Sequence, residues 1–132
     1  MEENGMDIQR YQSGAPLEEK MGYSRMVKAG NMILIGGTTS VQPDGSVFGR
    51  DAYNQTKYVL EKQLRLLQQA ESKAEDVVSV DVFAVNMSDG AEIGKAYAEI
   101  FHEIRPLFTV VGTTELNRST QLVEIKMTAM MQ

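Results

Sequence analysis

Apolar and polar positions alternate along this chain with two periods, and the switches between them divide it into elements. Residues 8–11 read as a short strand, which Ser13, Gly14, Ala15 and Pro16 then break. Residues 23–27 and 31–35 read as the two arms of a hairpin, with Gly30 supplying a positive φ between them. Gly36 and Gly37 follow; such a pair marks either a bulge or turn, or a place where backbone or ligand comes close. Gln42, Pro43, Asp44 and Gly45 form a turn signal. Asp51 is placed to cap a long helix reaching about Ala70, with Tyr53, Leu60, Leu64 and Leu67 on one stripe. Ser72 with Glu75 suggests a capping box over a single turn. Residues 77–85 alternate with apolar side chains on both faces, which predicts a central strand. Asp89 with Glu92 offers a second capping box, and Ile93, Ala96, Tyr97, Ile100, Phe101 and Ile104 then trace a helical stripe that Pro106 ends. Residues 107–111 read as a strand, 113–120 as a polar loop and 122–130 as the last strand.

The resulting order, β-β-β-α-β-α-β-β, predicts an α/β (α+β) fold: a six-stranded mixed sheet with both long helices on one face. The opposite face then needs a cover, and a second copy of the chain is the expected one.

Composition narrows the function. The chain has 132 residues, which fits a single domain over 1–132, with 1–6 expected to be a disordered tail. Thirteen basic against 18 acidic residues give a net charge of −5, with no run of Lys and Arg. Phosphate neutralisation supplies most nonspecific nucleic-acid affinity, so nucleic acid is not expected as a partner. The absence of cysteine excludes disulfides, thiolate metal sites and a thiol nucleophile. The start of the chain is acidic and polar, unlike a signal peptide, and the longest apolar run, 32–35, is far too short to span a membrane. A cytoplasmic protein is expected. The nine methionines fill either core gaps or an interface, core filling being the commoner use.

No phosphate loop, nucleophile elbow or zinc motif is present. His102 is the only histidine and lies beside the helical stripe, so a His-dependent triad or His-rich metal site is ruled out. Glu124, in the middle of the last strand, is either a solvated or ion-paired carboxylate or a general base orienting water in a cleft between subunits. Arg25 and Arg105 are surface arginines or anion clamps. Asp81, on the central strand, would need a partner if buried.

Three segments carry a resemblance. The first is Gly22, Tyr23, Ser24, Arg25 with Val27, Gly30 and Gly36, Gly37, Thr38, Thr39. The second is Glu75, Asp76, Val77, Val78 with Asp89 opening the next helix, and the third is Arg105, Pro106 with Leu122, Val123, Glu124, Ile125. In order and spacing, over about residues 20–130, the chain resembles the RidA/YjgF-like family, also known as endoribonuclease L-PSP or translation-inhibitor-like proteins. The resemblance implies a chorismate-mutase-like fold, a homotrimer, and small-molecule sites in clefts between subunits. It implies hydrolysis of reactive imines to a keto acid and ammonia, without metal or cofactor.

By the same resemblance Glu124 orients water, Tyr23 lines the site, Gly37 lies near the ligand, and Ser88 stands where an asparagine is common. The family's carboxylate-binding arginine lies two residues after a proline; here that position is Phe108, followed by Thr109, and both count among the substrate-binding positions. A charge-assisted hydrogen bond contributes roughly 1.5–3 kcal/mol, so this change should weaken carboxylate binding about ten- to a hundredfold or more. The pattern looks like a divergent branch without the clamp. Arg25, two residues beyond Tyr23, is a candidate substitute. Three functions follow for comparison: a cleft hydrolase acting on imines, with Phe108 favouring a less charged substrate; a binding or interaction protein without chemistry; and a ribonuclease, against which the acidic charge and lone histidine argue.

Overall fold

The computed structural model describes residues 7–132; the expected tail at 1–6 lies outside them. Six strands, β1 (Ile8–Tyr11), β2 (Met26–Ala29), β3 (Met32–Thr38), β4 (Val77–Ala84), β5 (Leu107–Gly112) and β6 (Val123–Met130), form one sheet in the order β1-β2-β3-β6-β4-β5. Only β4 and β5 pair in parallel, so the sheet is mixed, as the pattern predicts. The long helices are α2 (Ala52–Gln69) and α3 (Gly90–Phe101), and the right-handed logic of a strand–helix–strand crossover places α3 between the parallel pair.

One face of the sheet is the core. Ile33 and Ile35 of β3, Val80, Val82 and Ala84 of β4, and Val123, Ile125, Met127 and Ala129 of β6 are buried together with Val59, Leu60, Leu66 and Leu67 of α2 and Ile93 and Phe101 of α3. In β3, β4 and β6 alternate residues are enclosed, which is the two-residue period made physical. Neither long helix covers the other face. There Met32 (38%), Leu34 (43%), Val111 (42%) and Met130 (37%) stay exposed, and Phe83 is half-buried. The uncovered face expected from the sequence is therefore real in this chain.

Several local expectations change. Residues 23–25 are the approach to β2, which begins at Met26. A short helix, α1 (Pro16–Met21), occupies a stretch the apolar pattern left blank; Pro16 starts it and Gly22, at φ 85°, closes it by donating to the Glu18 carbonyl. Asp51 caps α2 as expected, its carboxylate accepting from the Asn54 amide at 2.8 Å. Tyr53 leaves the buried stripe; its hydroxyl donates to Glu99 of α3, and Lys57 and Lys95 flank the ring. Ser72 finds Asp76 instead of Glu75, at 2.8 Å. Asp89 makes no capping bond to α3, and Glu92 accepts from the Tyr53 amide instead. Methionine serves the core less than expected: Met26 and Met127 are buried, whereas Met21, Met32, Met87 and Met130 are exposed.

Candidate functional site

The glycine pair resolves as a bulge in the sheet. Between Ile35 and Thr38 on β3 and their partners Met127 and Ile125 on β6, one residue too many lies on the β3 side. The ladder cannot absorb it, and β3 kinks at Gly36 and Gly37. The Glu124 side chain lies against the backbone of this bulge. A Cβ at Gly37 would collide with its Oε2 and stand 3.0 Å from its Cδ, so glycine is needed there for space. Glu124 is half-buried and receives no hydrogen bond from the described residues, leaving its oxygen lone pairs for water or ligand.

The bulge also organises Arg25. This arginine is 7% exposed, and its guanidinium reaches three neighbours. Nε donates to Glu18 Oε2 at 3.1 Å, Nη1 donates to the Gly37 carbonyl, and Nη2 donates to the Tyr23 hydroxyl at 3.2 Å. The guanidinium carbon also lies 5.2 Å from the centre of the Tyr23 ring. Arg25 thus ties α1, the approach to β2 and the bulge together. Glu18 is buried at the centre of this knot. Burial alone would push its carboxyl up, but hydrogen bonds from the Ser13 hydroxyl and amide, together with Arg25, outweigh that and hold it below the ordinary glutamate range.

These side chains border a cleft of about 280 Å³. Tyr23, Arg25, Gly37 and Glu124 form one wall; Leu17 and Met21 of α1 form an apolar side; Thr39, Asn117, Arg118 and Gln121 complete it. Four of the residues singled out in the sequence are therefore gathered in one place. Ser88, Phe108 and Thr109 are not among its lining residues. Ser88 is exposed in the turn before α3. The Phe108 ring lies on the helix side of β5, stacked on Tyr97 of α3 with centroids 3.8 Å apart and planes 12° apart. Thr109 is exposed on β5, opposite Asp81 of β4.

Other candidates fall away from the cleft. His102 is exposed and contacts Glu103 at 2.6 Å. Arg105 is exposed at the end of α3 with φ 61°, serving as the left-handed residue before Pro106. Asp81 is half-buried and stands in register with Lys126. Among the described residues no cluster of metal-ligating side chains occurs, and no helix is long and apolar enough to cross a membrane.

The loop before β6 supplies three residues that sequence reasoning missed: Asn117, Arg118 and Gln121. It had looked only polar. No period in the sequence announces them; only in the folded chain is Gln121 2% exposed and Gln55 of α2 fully enclosed. Gln121 donates to Thr39 Oγ1 at 3.0 Å and accepts from the Arg118 amide at 2.9 Å. Gln55 donates to the Thr120 carbonyl at 2.9 Å and accepts from the Leu122 amide at 2.8 Å. The end of the loop that leads into β6 is thus held by two side-chain amides that satisfy its backbone.

Comparison with known proteins agrees with this architecture. Residues 14–131 match the family model described as Endoribonuclease L-PSP. A RutC family protein of Pyrococcus horikoshii is 34% identical over 105 residues, covering 79% of this chain and 82% of that one. The 2-iminobutanoate/2-iminopropanoate deaminase of Salmonella typhimurium is 26% identical over 107 residues, covering 81% and 84% respectively. Among solved structures, a YjgF family member from Mycobacterium tuberculosis superposes with a TM-score of 0.87 at 31% identity, over 95% of this chain and all (100%) of that one. With residues 14–131 matched by the family model and nearly the whole fold superposing on a YjgF family structure, this chain belongs to the RidA/YjgF-like family that the Endoribonuclease L-PSP model describes.

Proposed function

We propose that the chain is a cofactor-independent hydrolase of small imines, working in the cytoplasm as a homotrimer with its sites between subunits. The observation that carries this reading is the Gly37 bulge, which makes room for a Glu124 carboxylate with unengaged oxygens on the wall of a cleft. Glu124 would take a proton from water as the water oxygen bonds to the imine carbon. The C=N electron pair moves to nitrogen, which is protonated; the carbinolamine then collapses, the C–N bond breaks, ammonia leaves and a carbonyl forms. One water is consumed per imine. The deaminase of Salmonella typhimurium supports this chemistry by its likeness.

Two features support the shared site. The exposed apolar face around Leu34 and Met130 offers a surface for neighbouring copies to cover. Ser88, Phe108 and Thr109 lie apart from their own chain's cleft, so a neighbour could bring them to it. Phe108, in place of a clamping arginine, favours a second reading in which the cleft binds a small molecule without converting it. The family's name refers to an endoribonuclease, but the net charge of −5 and the exposed His102 do not suit RNA cleavage.

The test adds purified protein to a dehydratase reaction that releases an imine and follows the keto acid. Acceleration that disappears in Glu124→Gln supports the hydrolase. Equal rates with and without protein would leave the binding reading in its place.

A further inference from the structure

The cleft lacks the clamping arginine at Phe108, yet it holds two others with different electrostatic standing. Arg25 is buried and spent: Glu18 balances its charge at 3.1 Å, and its remaining contacts are the Gly37 carbonyl and the Tyr23 hydroxyl. An incoming anion meets there an ion pair that is already closed. Arg118 differs. It is half-buried on the cleft wall, and no carboxylate among the described residues lies within ion-pair distance of it. Its backbone, by contrast, is anchored on both sides. Its amide donates to Gln121 Oε1 at 2.9 Å, and its carbonyl accepts from the Gln121 amide at 3.0 Å. Gln121 is in turn buried and bonded to Thr39, and Gln55 pins the next residues to α2. The loop's base is rigid while the guanidinium keeps its donors.

We propose that Arg118 is the anion contact of this cleft, selecting ligands that carry a carboxylate at the end away from Glu124. A cleft of about 280 Å³ holds only a small molecule. With an open guanidinium on one wall and an open carboxylate on another, it suits a ligand with a negative end and an electron-poor or cationic centre. An imine bearing a carboxylate has both, and in that respect the inference rests on the hydrolase reading. The bidentate fork of arginine matches a carboxylate in shape and charge, so the loop before β6 takes over a task that the start of β5 does not perform here. Glu124, a like charge to the carboxylate, orients the ligand by repelling the wrong end.

The probe is 2-oxobutanoate, the keto acid that hydrolysis of 2-iminobutanoate yields, compared with its uncharged counterpart 2-butanone. Binding to the full-length protein is followed by ligand-observed NMR for the native chain, Arg118→Ala, Arg118→Gln and Arg118→Lys. Expected is at least a tenfold weakening of 2-oxobutanoate binding in the Ala and Gln variants, partial retention in Lys, and unchanged 2-butanone binding. Salt should weaken keto-acid binding in the native chain more than in Arg118→Gln. Native-like keto-acid affinity in Arg118→Gln, or no keto-acid binding by the native chain, overturns the proposal. Arg118-dependent binding without imine hydrolysis would uphold it while removing the hydrolase reading, so the two failures are told apart.

Discussion

At Gly37 the missing side chain is a functional requirement. Gly37→Ala would place a methyl where the Glu124 carboxylate lies, and because the carboxylate is the movable partner, Glu124 should swing out. We expect imine hydrolysis to fall toward the level of Glu124→Gln, with a smaller loss of stability, measured by activity and chemical denaturation on one preparation. Glu18 gives a pH prediction. Its folded value lies below its unfolded one, so it contributes stability above the ordinary glutamate value of about 4.3, and that contribution is lost as pH falls through the lowered folded value. Glu18→Gln should therefore flatten the acid limb of the stability profile in urea titrations. Glu18→Ala leaves Arg25 buried without its partner and should cost about 3–5 kcal/mol. Thr56 shows the reverse logic: its hydroxyl is fully enclosed without a partner, so Thr56→Val should stabilise by about 1 kcal/mol in the same titrations.

At the level of elements, the loop before β6 behaves as part of the scaffold. Gln55→Leu would strand the Leu122 amide and the Thr120 carbonyl, costing about 1–3 kcal/mol. It should also open the 113–121 segment to limited proteolysis and displace Arg118 and Gln121 from the cleft. Denaturation and a protease time course check both. The elements themselves were largely legible in advance. Alternation exposed β4 and β6 because one face of each is sealed, and the helical stripe of α3 was complete from Ile93 to Phe101. The short α1 was not, since six residues carry too little periodicity to stand out. Its markers were local ones, Pro16 at the start and Gly22 at the end. The Asp89 box did not form: Asp89 ends a tight turn at φ −82° and ψ 4° rather than in the extended cap conformation, and the Glu92 carboxylate accepts from the Tyr53 amide.

For the whole molecule, the uncovered sheet face sets the expected assembly. Leu34 is 43% exposed between buried Ile33 and Ile35. A lysine there should leave the chain's own core intact and prevent a trimer from closing. Sedimentation should show a trimer for the native protein and smaller species for Leu34→Lys, with imine hydrolysis lost alongside. A native monomer that hydrolyses imines would remove the shared-site reading.

Periodicity, punctuation and composition were enough to determine the mixed sheet, the side on which both helices pack and the apolar face they leave bare, because burial imposes a repeat that a string of residues displays. They also raised Arg25, the Gly36–Gly37 pair and Glu124 as candidates, whereas Tyr23 and the roles of these residues came with the family resemblance. What only the folded chain decided was how charge is distributed among them. Arg25 is neutralised by Glu18 from α1, whereas Arg118, on a loop held by two glutamines through its backbone, has no carboxylate within ion-pair distance among the described residues. Hydrogen bonds and ion pairs between distant segments have no period, and so they leave no trace until the segments meet.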